Sequence, residues 1–359
     1  MGDTVRIGVI GTSFISDFYH LSILSALPEV ELIAVCGRNG ERSREVAEKH
    51  SIPRVFTDYR EMIRSGLLDA VVIATPEDLH HPMTMEAIRN GLHVLCEKPL
   101  GLNPTQAREM RDSAQSAKRV TLVNHTYRWM PAYRYARRLV DDGYIGNLHR
   151  AVFHYRAGYA RSKKKNWKID AARYIGVLGD LGSHMIDMAR YLVGEITEVS
   201  AKLKTCVKIG LDDASVSDDI ELPNDLASLL VGFAGGETAY IIASAVDYLS
   251  DQHQHVELHG SEGSLDIKVQ LKASPQIHCI RGEDFTKETL EIPAELGRCP
   301  PLSELRGYFA SNDIGPRLFV QSILGQAVQA PTFDDGYRIQ QIMDAAIESD
   351  SKGVRITIT

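Results

Sequence analysis

Val5-Arg6-Ile7-Gly8-Val9-Ile10-Gly11-Thr12-Ser13-Phe14-Ile15-Ser16 decides the fold. A short apolar run passes through a glycine into a stretch with Phe14, Phe18, Leu21 and Leu24 at helical spacing, which Pro28 stops. That is strand, tight turn, helix. The pattern then repeats: strands are expected at 31–36, 69–75, 92–96 and 120–124, and helices at 41–50, 79–90 and 104–117. The run from Asp69 to Thr75 is apolar without alternation, as when both faces of a sheet are covered. Strand and helix alternating at this rhythm predict a doubly wound α/β fold around a parallel sheet.

Past Asn124 the rhythm changes. A helix is expected over 131–141, a strand over 148–156 and a helix over 180–192. Residues 196–294 read as β-rich, with a hairpin where Ala234-Gly235-Gly236-Glu237 joins two alternating runs, and helices return near 315–324 and 334–350. The expectation is a dinucleotide-type domain over 1–125 and an α/β domain over 126–359 with an open, mostly antiparallel sheet.

Bulk properties narrow the function. The 359 residues carry a formal charge of −7, so no global basic field draws the chain to nucleic acid or anionic lipid. No run approaches the ~20 apolar residues of a membrane span, and Met1-Gly2-Asp3-Thr4 lacks the marks of a signal peptide. The five cysteines never form Cys-x-x-Cys, so neither a disulfide frame nor a metal site is expected, and the expected compartment is the cytoplasm.

A dinucleotide-binding turn ordinarily reads Gly-x-Gly-x-x-Gly. Here Gly11 keeps the first position while Ser13 and Ser16 take the others, so the motif alone fits a ligand-free turn equally well. The second strand ends in Cys36-Gly37-Arg38-Asn39, without the carboxylate that would hold adenosine ribose hydroxyls. Arg38 suits a 2′-phosphate instead, which favours NADP(H) over NAD(H).

Two further elements carry chemistry. Lys98, in Glu97-Lys98-Pro99, stands where the carboxyl end of a parallel strand faces a ligand crevice, and an ammonium there would stabilise a forming alkoxide. By spacing alone it is also a surface lysine. In Gly179-Asp180-Leu181-Gly182-Ser183-His184-Met185-Ile186-Asp187, regular α-winding would put Asp180, His184 and Asp187 on one face. A carboxylate beside an imidazole suits a proton shuttle, and it equally suits a helix start with a satisfied histidine.

Nearly the whole chain resembles the glucose–fructose oxidoreductase/inositol dehydrogenase (Gfo/Idh/MocA) family. The matching segments are the turn at Gly11, Thr75-Pro76 with His80, Gly91-Leu92-His93-Val94-Leu95-Cys96-Glu97-Lys98-Pro99, Asn124 with Arg128, Gly176 to Asp187, and Asp344-Ala345-Ala346-Ile347-Glu348-Ser349. The resemblance implies a Rossmann domain, a second domain whose open sheet assembles a homodimer or homotetramer, and catalysis by Lys98, Asp180 and His184. It implies cofactor contacts from Gly11, Thr12, Ser13, Phe14, Ile15, Arg38, Thr75, Pro76, His80, Glu97 and Asn124. The implied activity is hydride transfer at a secondary hydroxyl of a sugar-like substrate. A non-turnover dinucleotide-binding regulator and an NAD-dependent glycosidase are the alternatives.

On the substrate side, Arg128, Tyr155 and Trp167 are expected to join Lys98, Asp180 and His184, with Tyr159, Arg173 and Tyr174 nearby. The basic stretch Arg161-Ser162-Lys163-Lys164-Lys165-Asn166-Trp167-Lys168 is either a solvated loop or a binder of phosphate or carboxylate.

Overall fold

The computed structural model describes residues 4–161, 168, 170–207, 221–248, 253–283, 285–297, 299, 304 and 314–359. The strands up to Asn124 are β1 (Val5–Ile10), β2 (Val30–Cys36), β3 (Arg54–Phe56), β4 (Ala70–Ile73), β5 (His93–Cys96) and β6 (Thr121–Val123). They are joined by a π-wound turn, Ser16–Leu21, leading into α1 (Ser22–Leu24), and by α2 (Gly40–Lys49), α3 (Tyr59–Ile63), α4 (His80–Arg89) and α5 (Pro104–Ser116). All pairings are parallel and the order is β3-β2-β1-β4-β5-β6. The order reverses between β1 and β4, which is where open α/β sheets place a ligand at the strands' carboxyl ends. The core under α4 and α5 includes Ile73, Met83, Val94, Met110 and Val123. Each such side chain contributes about 1.5–3 kcal/mol by leaving water.

The first helix departs from its expected register. Wide π winding moves the buried face to Ser16, Tyr19, His20 and Leu21, and leaves Phe14 71% exposed, stacked on Phe18 at 4.9 Å. Short β3 and α3 carry no periodicity long enough to read in sequence.

The next elements are α6 (Pro131–Asp141), β7 (Leu148–Arg156), the π-wound Leu178–Gly182, α7 (Ser183–Leu192), β8 (Ile196–Lys204), β9 (Leu226–Phe233), β10 (Thr238–Ser244), β11 (His253–Gly260), β12 (Gly263–Gln270), β13 (Gln276–Arg281) and β14 (Lys287–Leu290). Last come α8 (Gly315–Ile323), α9 (Phe333–Lys352) and β15 (Ile356–Thr357). The second sheet runs β14-β13-β12-β11-β7-β10-β9-β8-β15, antiparallel except where β7 meets β10. The β9–β10 hairpin turns through Gly236 at φ +95°, as the sequence predicts. One sheet face buries Phe153, Tyr155, Ile241 and Ala243 and packs on α7, which is buried along most of its length. The other face carries Val152, His154, Leu230 and Tyr240.

The chain divides into two compact units. Residues from Ile314 to Gln340, expected in the second domain, pack with the first. The apolar side of α8 (Leu318, Phe319, Val320) lies on β5 and β6, and Thr332 bridges to Leu122. Among the described residues no helix is long and apolar enough to cross a membrane.

Candidate active site

In the first unit the strands end together. Gly11 N donates to Cys36 O (2.8 Å), Ala74 N to Ile10 O (2.8 Å), Glu97 N to Ile73 O (2.9 Å) and Asn124 N to Cys96 O (2.9 Å). Gly11 has φ +119°, and a Cβ on it would stand 2.2 Å from Ala74 O, so glycine is obligatory. Ser16, at the third fingerprint position, is fully buried and donates to Ala74 O at 3.4 Å. Ser13 Oγ accepts from Ser16 N at 3.5 Å and lies 3.3 Å from Ser16 Oγ. The two serines thus tie the helix to β4 where glycines would merely have allowed close packing. Thr12 lies against Gly37, whose added Cβ would meet Thr12 Cγ2 at 2.9 Å. Next to it Asn39 caps α2, and Arg38 is exposed. This turn fits a dinucleotide: a glycine without room for a Cβ, exposed Phe14 and Ile15 beside it, and a β2 end, Cys36-Gly37-Arg38-Asn39, that itself holds no carboxylate.

Behind Lys98 is a buried polar hub. Glu97 Oε1 accepts from Asn124 Nδ2 at 2.6 Å and from His20 Nε2 at 2.8 Å, while Glu97 Oε2 accepts from Lys98 N at 3.3 Å. Tyr19 OH donates to Asn124 Oδ1 at 3.3 Å. Burial pushes the Glu97 carboxyl up, but the His20 and Asn124 bonds with nearby positive charge hold it below its ordinary value. Glu97 and Asn124, expected as cofactor contacts, are bonded to each other here, and Glu97 also receives the Lys98 backbone N–H. The His80 ring is 1% exposed and spans two carbonyls, Nδ1 to Pro99 O at 2.8 Å and Nε2 to Thr75 O at 3.0 Å, stapling the loops after β4 and β5. Burial drives its pKa down despite those carbonyls. Thr75 also reaches Met83 Sδ at 3.6 Å, Pro76 opens the turn before α4, and Lys98 is half-buried with a cis bond to Pro99.

In the second unit Asp180 Oδ2 accepts from Lys168 Nζ (2.6 Å), Tyr159 OH (2.7 Å) and Tyr174 OH (3.2 Å). Burial, then the Asp180 charge, hold the Tyr159 phenol well above its ordinary value. His184 is 8% exposed, with the Tyr127 ring edge-on at 4.5 Å and the Tyr155 ring at 6.2 Å. Tyr127 OH and Tyr155 OH are 2.7 Å apart. Of the single face expected for Asp180, His184 and Asp187, regular α-winding keeps only His184 and Asp187 together. Asp180 sits in the π-wound turn before regular α-winding, facing Lys168 and the two tyrosines, while Asp187 belongs to Arg128. Arg128, expected to touch substrate, gives Nε and Nη2 to the two Asp187 oxygens at 2.8 and 2.5 Å. A guanidinium forked on a buried carboxylate is a structural clamp.

Trp167 and residues 162–166 lie outside the described residues. Of the basic stretch, Lys168 is bound to Asp180 and Arg161 donates to Val246 O while lying over the Tyr248 ring. Sequence reasoning missed His20 and Tyr127. His20 carries a signal, a polar residue inside an apolar helical run. Tyr127 carries none, because its partners come from α7 and β7, distant in the chain.

Residues 5–125 match the GFO_IDH_MocA family, described as oxidoreductases with an NAD-binding Rossmann fold, and residues 133–266 match the C-terminal domain of the same family. Levoglucosan dehydrogenase of Pseudarthrobacter phenanthrenivorans is 26% identical over 97% of this chain and 96% of its own. D-glucoside 3-dehydrogenase of Escherichia coli is 30% identical over 99% and 97%. The solved complex of levoglucosan dehydrogenase with NADH and levoglucosan superposes with a TM-score of 0.86 at 24% identity, covering 99% of this chain and all of that one, a likeness of fold.

Proposed function

The chain belongs to the Gfo/Idh/MocA family of oxidoreductases, and from that premise we propose that it moves a hydride between a nicotinamide dinucleotide and a secondary hydroxyl or ketone of a sugar or cyclitol. The observation that carries this is full-length similarity to sugar dehydrogenases in a chain that keeps Lys98 after β5 and Asp180 and His184 at the head of α7.

A bound dinucleotide supplies the hydride acceptor or donor. In the oxidising direction His184 takes the proton of the substrate hydroxyl, and the Lys98 ammonium stabilises that oxygen as charge builds on it. Asp180, already an acceptor for an ammonium and two phenols, orients the substrate by accepting one of its hydroxyl hydrogens. Gly11, Thr12, Ser13, Phe14 and Ile15 hold the dinucleotide, and Arg38 favours NADP(H) over NAD(H). The open face of the second sheet joins copies of the chain into a dimer or tetramer: exposed Leu230 and Tyr240 lie opposite each other in β9 and β10, beside Val152 in β7.

Following reduced-nicotinamide absorbance across a panel of sugars, sugar phosphates, cyclitols and keto sugars tests the reading. Turnover with at least one of them is expected. No turnover with any member and either cofactor overturns it, and hydrolysis of a glycoside without net cofactor reduction assigns a different reaction.

A further inference from the structure

Arg128 and Tyr127 are neighbours in the 3-10 turn Thr126–Trp129, and both reach α7. Arg128 forks onto Asp187, whose side chain is 1% exposed, and Tyr127 sets its ring edge-on against His184. His184 and Asp187 are three residues apart on a regular α-helix, hence neighbours on one helix surface. The turn is further held by Tyr127 OH on Tyr155 OH of β7, and the Arg128 guanidinium lies over the Tyr191 ring at 5.7 Å. One short turn therefore grips α7 at two points on either side of a single helical turn.

We propose that Arg128 is a positioning residue for His184: its fork on Asp187 fixes the imidazole against Tyr127 and cancels a carboxylate charge one helical turn away. This rests on the reading of His184 as the group that takes the proton. A bare carboxylate at that spacing would favour the protonated imidazole, the form that cannot accept a proton. A lysine cannot replace the arginine, because it lacks the planar fork that meets both oxygens. Among the described residues of this unit, the charged and titratable groups that bear on the imidazole include Tyr127 on the turn, Tyr155 on β7, Asp180 with its partner Lys168 just before the helix, and Asp187 with its partner Arg128 on the helix.

The experiment is an NMR titration of His184 in full-length protein carrying isotope-labelled histidine, with the resonance assigned by its loss in H184N. Arg128→Met leaves the Asp187 carboxylate uncompensated, so the midpoint should rise by about one pH unit; Asp187→Asn leaves the guanidinium uncompensated, so it should fall by a similar amount. The double variant Arg128→Met/Asp187→Leu should return close to the wild-type midpoint. Arg128→Lys, which keeps the charge and loses the fork, should lower kcat at least tenfold with sugar KM within about threefold. Loss of helix packing alone would not move the two single variants in opposite directions. Midpoints that stay put, or move the same way, overturn the proposal, as does an Arg128→Lys variant that raises KM with kcat intact, the mark of a substrate contact. Full turnover in H184N removes the catalytic reading instead, and the titration does not depend on it.

Discussion

His20 Nε2 lies 2.8 Å from Glu97 Oε1, the imidazole fully buried and the carboxylate nearly so, which bonds the first helix of the dinucleotide unit to the loop that carries Lys98. A carboxylate only accepts, so Nε2 carries the hydrogen. Replacing His20 with alanine strips a buried acceptor of a partner and should cost about 1–3 kcal/mol at neutral pH. Burial raises the Glu97 pKa, the His20 and Asn124 bonds outweigh it, and the folded value sits below 4.5. The bonds' contribution is therefore complete above 4.5 and is lost as pH falls through the lower, folded value. Urea midpoints of wild type and H20A should differ at neutral pH and converge in acid. A constant gap across that range would mean His20 acts by packing alone.

Gly11→Ala forces a Cβ to 2.2 Å from a backbone oxygen at a φ that side chains avoid. The strain is on the order of 1–3 kcal/mol before the turn shifts, and the shift would close the approach to the phosphates. Thermal melting should drop by several degrees and dinucleotide binding, followed by fluorescence, should weaken at least tenfold. An alanine variant that melts and binds like wild type would remove Gly11 from the cofactor site.

Arg38 stands exposed beyond β2, between Gly37 and Asn39. If it pairs with a 2′-phosphate, Arg38→Ala should weaken NADP(H) binding by about 1.5–3 kcal/mol, roughly 10–100-fold, and leave NAD(H) binding nearly unchanged. Calorimetric titration with both cofactors decides it: equal losses, or a wild type that prefers NAD(H), would falsify the NADP assignment.

Leu230 and Tyr240 face each other across β9 and β10 at 43% and 47% exposure on the open sheet. Leu230→Asp should shift sedimentation from an assembled species to the monomer at micromolar protein while leaving cofactor binding in place. A wild type that sediments as a monomer ends the proposal that this face joins subunits.

The strand–helix rhythm up to Asn124 was readable because runs such as Ala70–Ile73 are apolar without interruption, and long strands such as Leu148–Arg156 alternate cleanly. What escaped was winding and partnership. Phe14 and Phe18 fit an α-helical stripe that the π turn at Ser16–Leu21 rotates out of the core. Arg128 carries the charge of a substrate ligand, but its fate depends on Asp187, 59 residues away, and no local pattern encodes that pairing. His80 and Glu97 stand out in the sequence as polar residues beyond strand ends, but that their ring and carboxylate bond to the neighbouring loops and to Asn124 could not be read from it. Residue type announced chemistry; whether the group faces a ligand or a neighbour depends on contacts distant in the chain.

The covering of β5 and β6 by α8, with Phe333 completing the core beneath α5, bears on the order in which the molecule is made. A ribosome adds about 5–20 residues per second, so the six-stranded sheet emerges well before the segment that seals its flank. Until that segment leaves the exit tunnel, the nascent first unit presents apolar strands to water or to a chaperone. A message truncated just short of Gly315 would yield a chain with every strand of that sheet and a hole in its side, fit for proteolysis and not for cofactor.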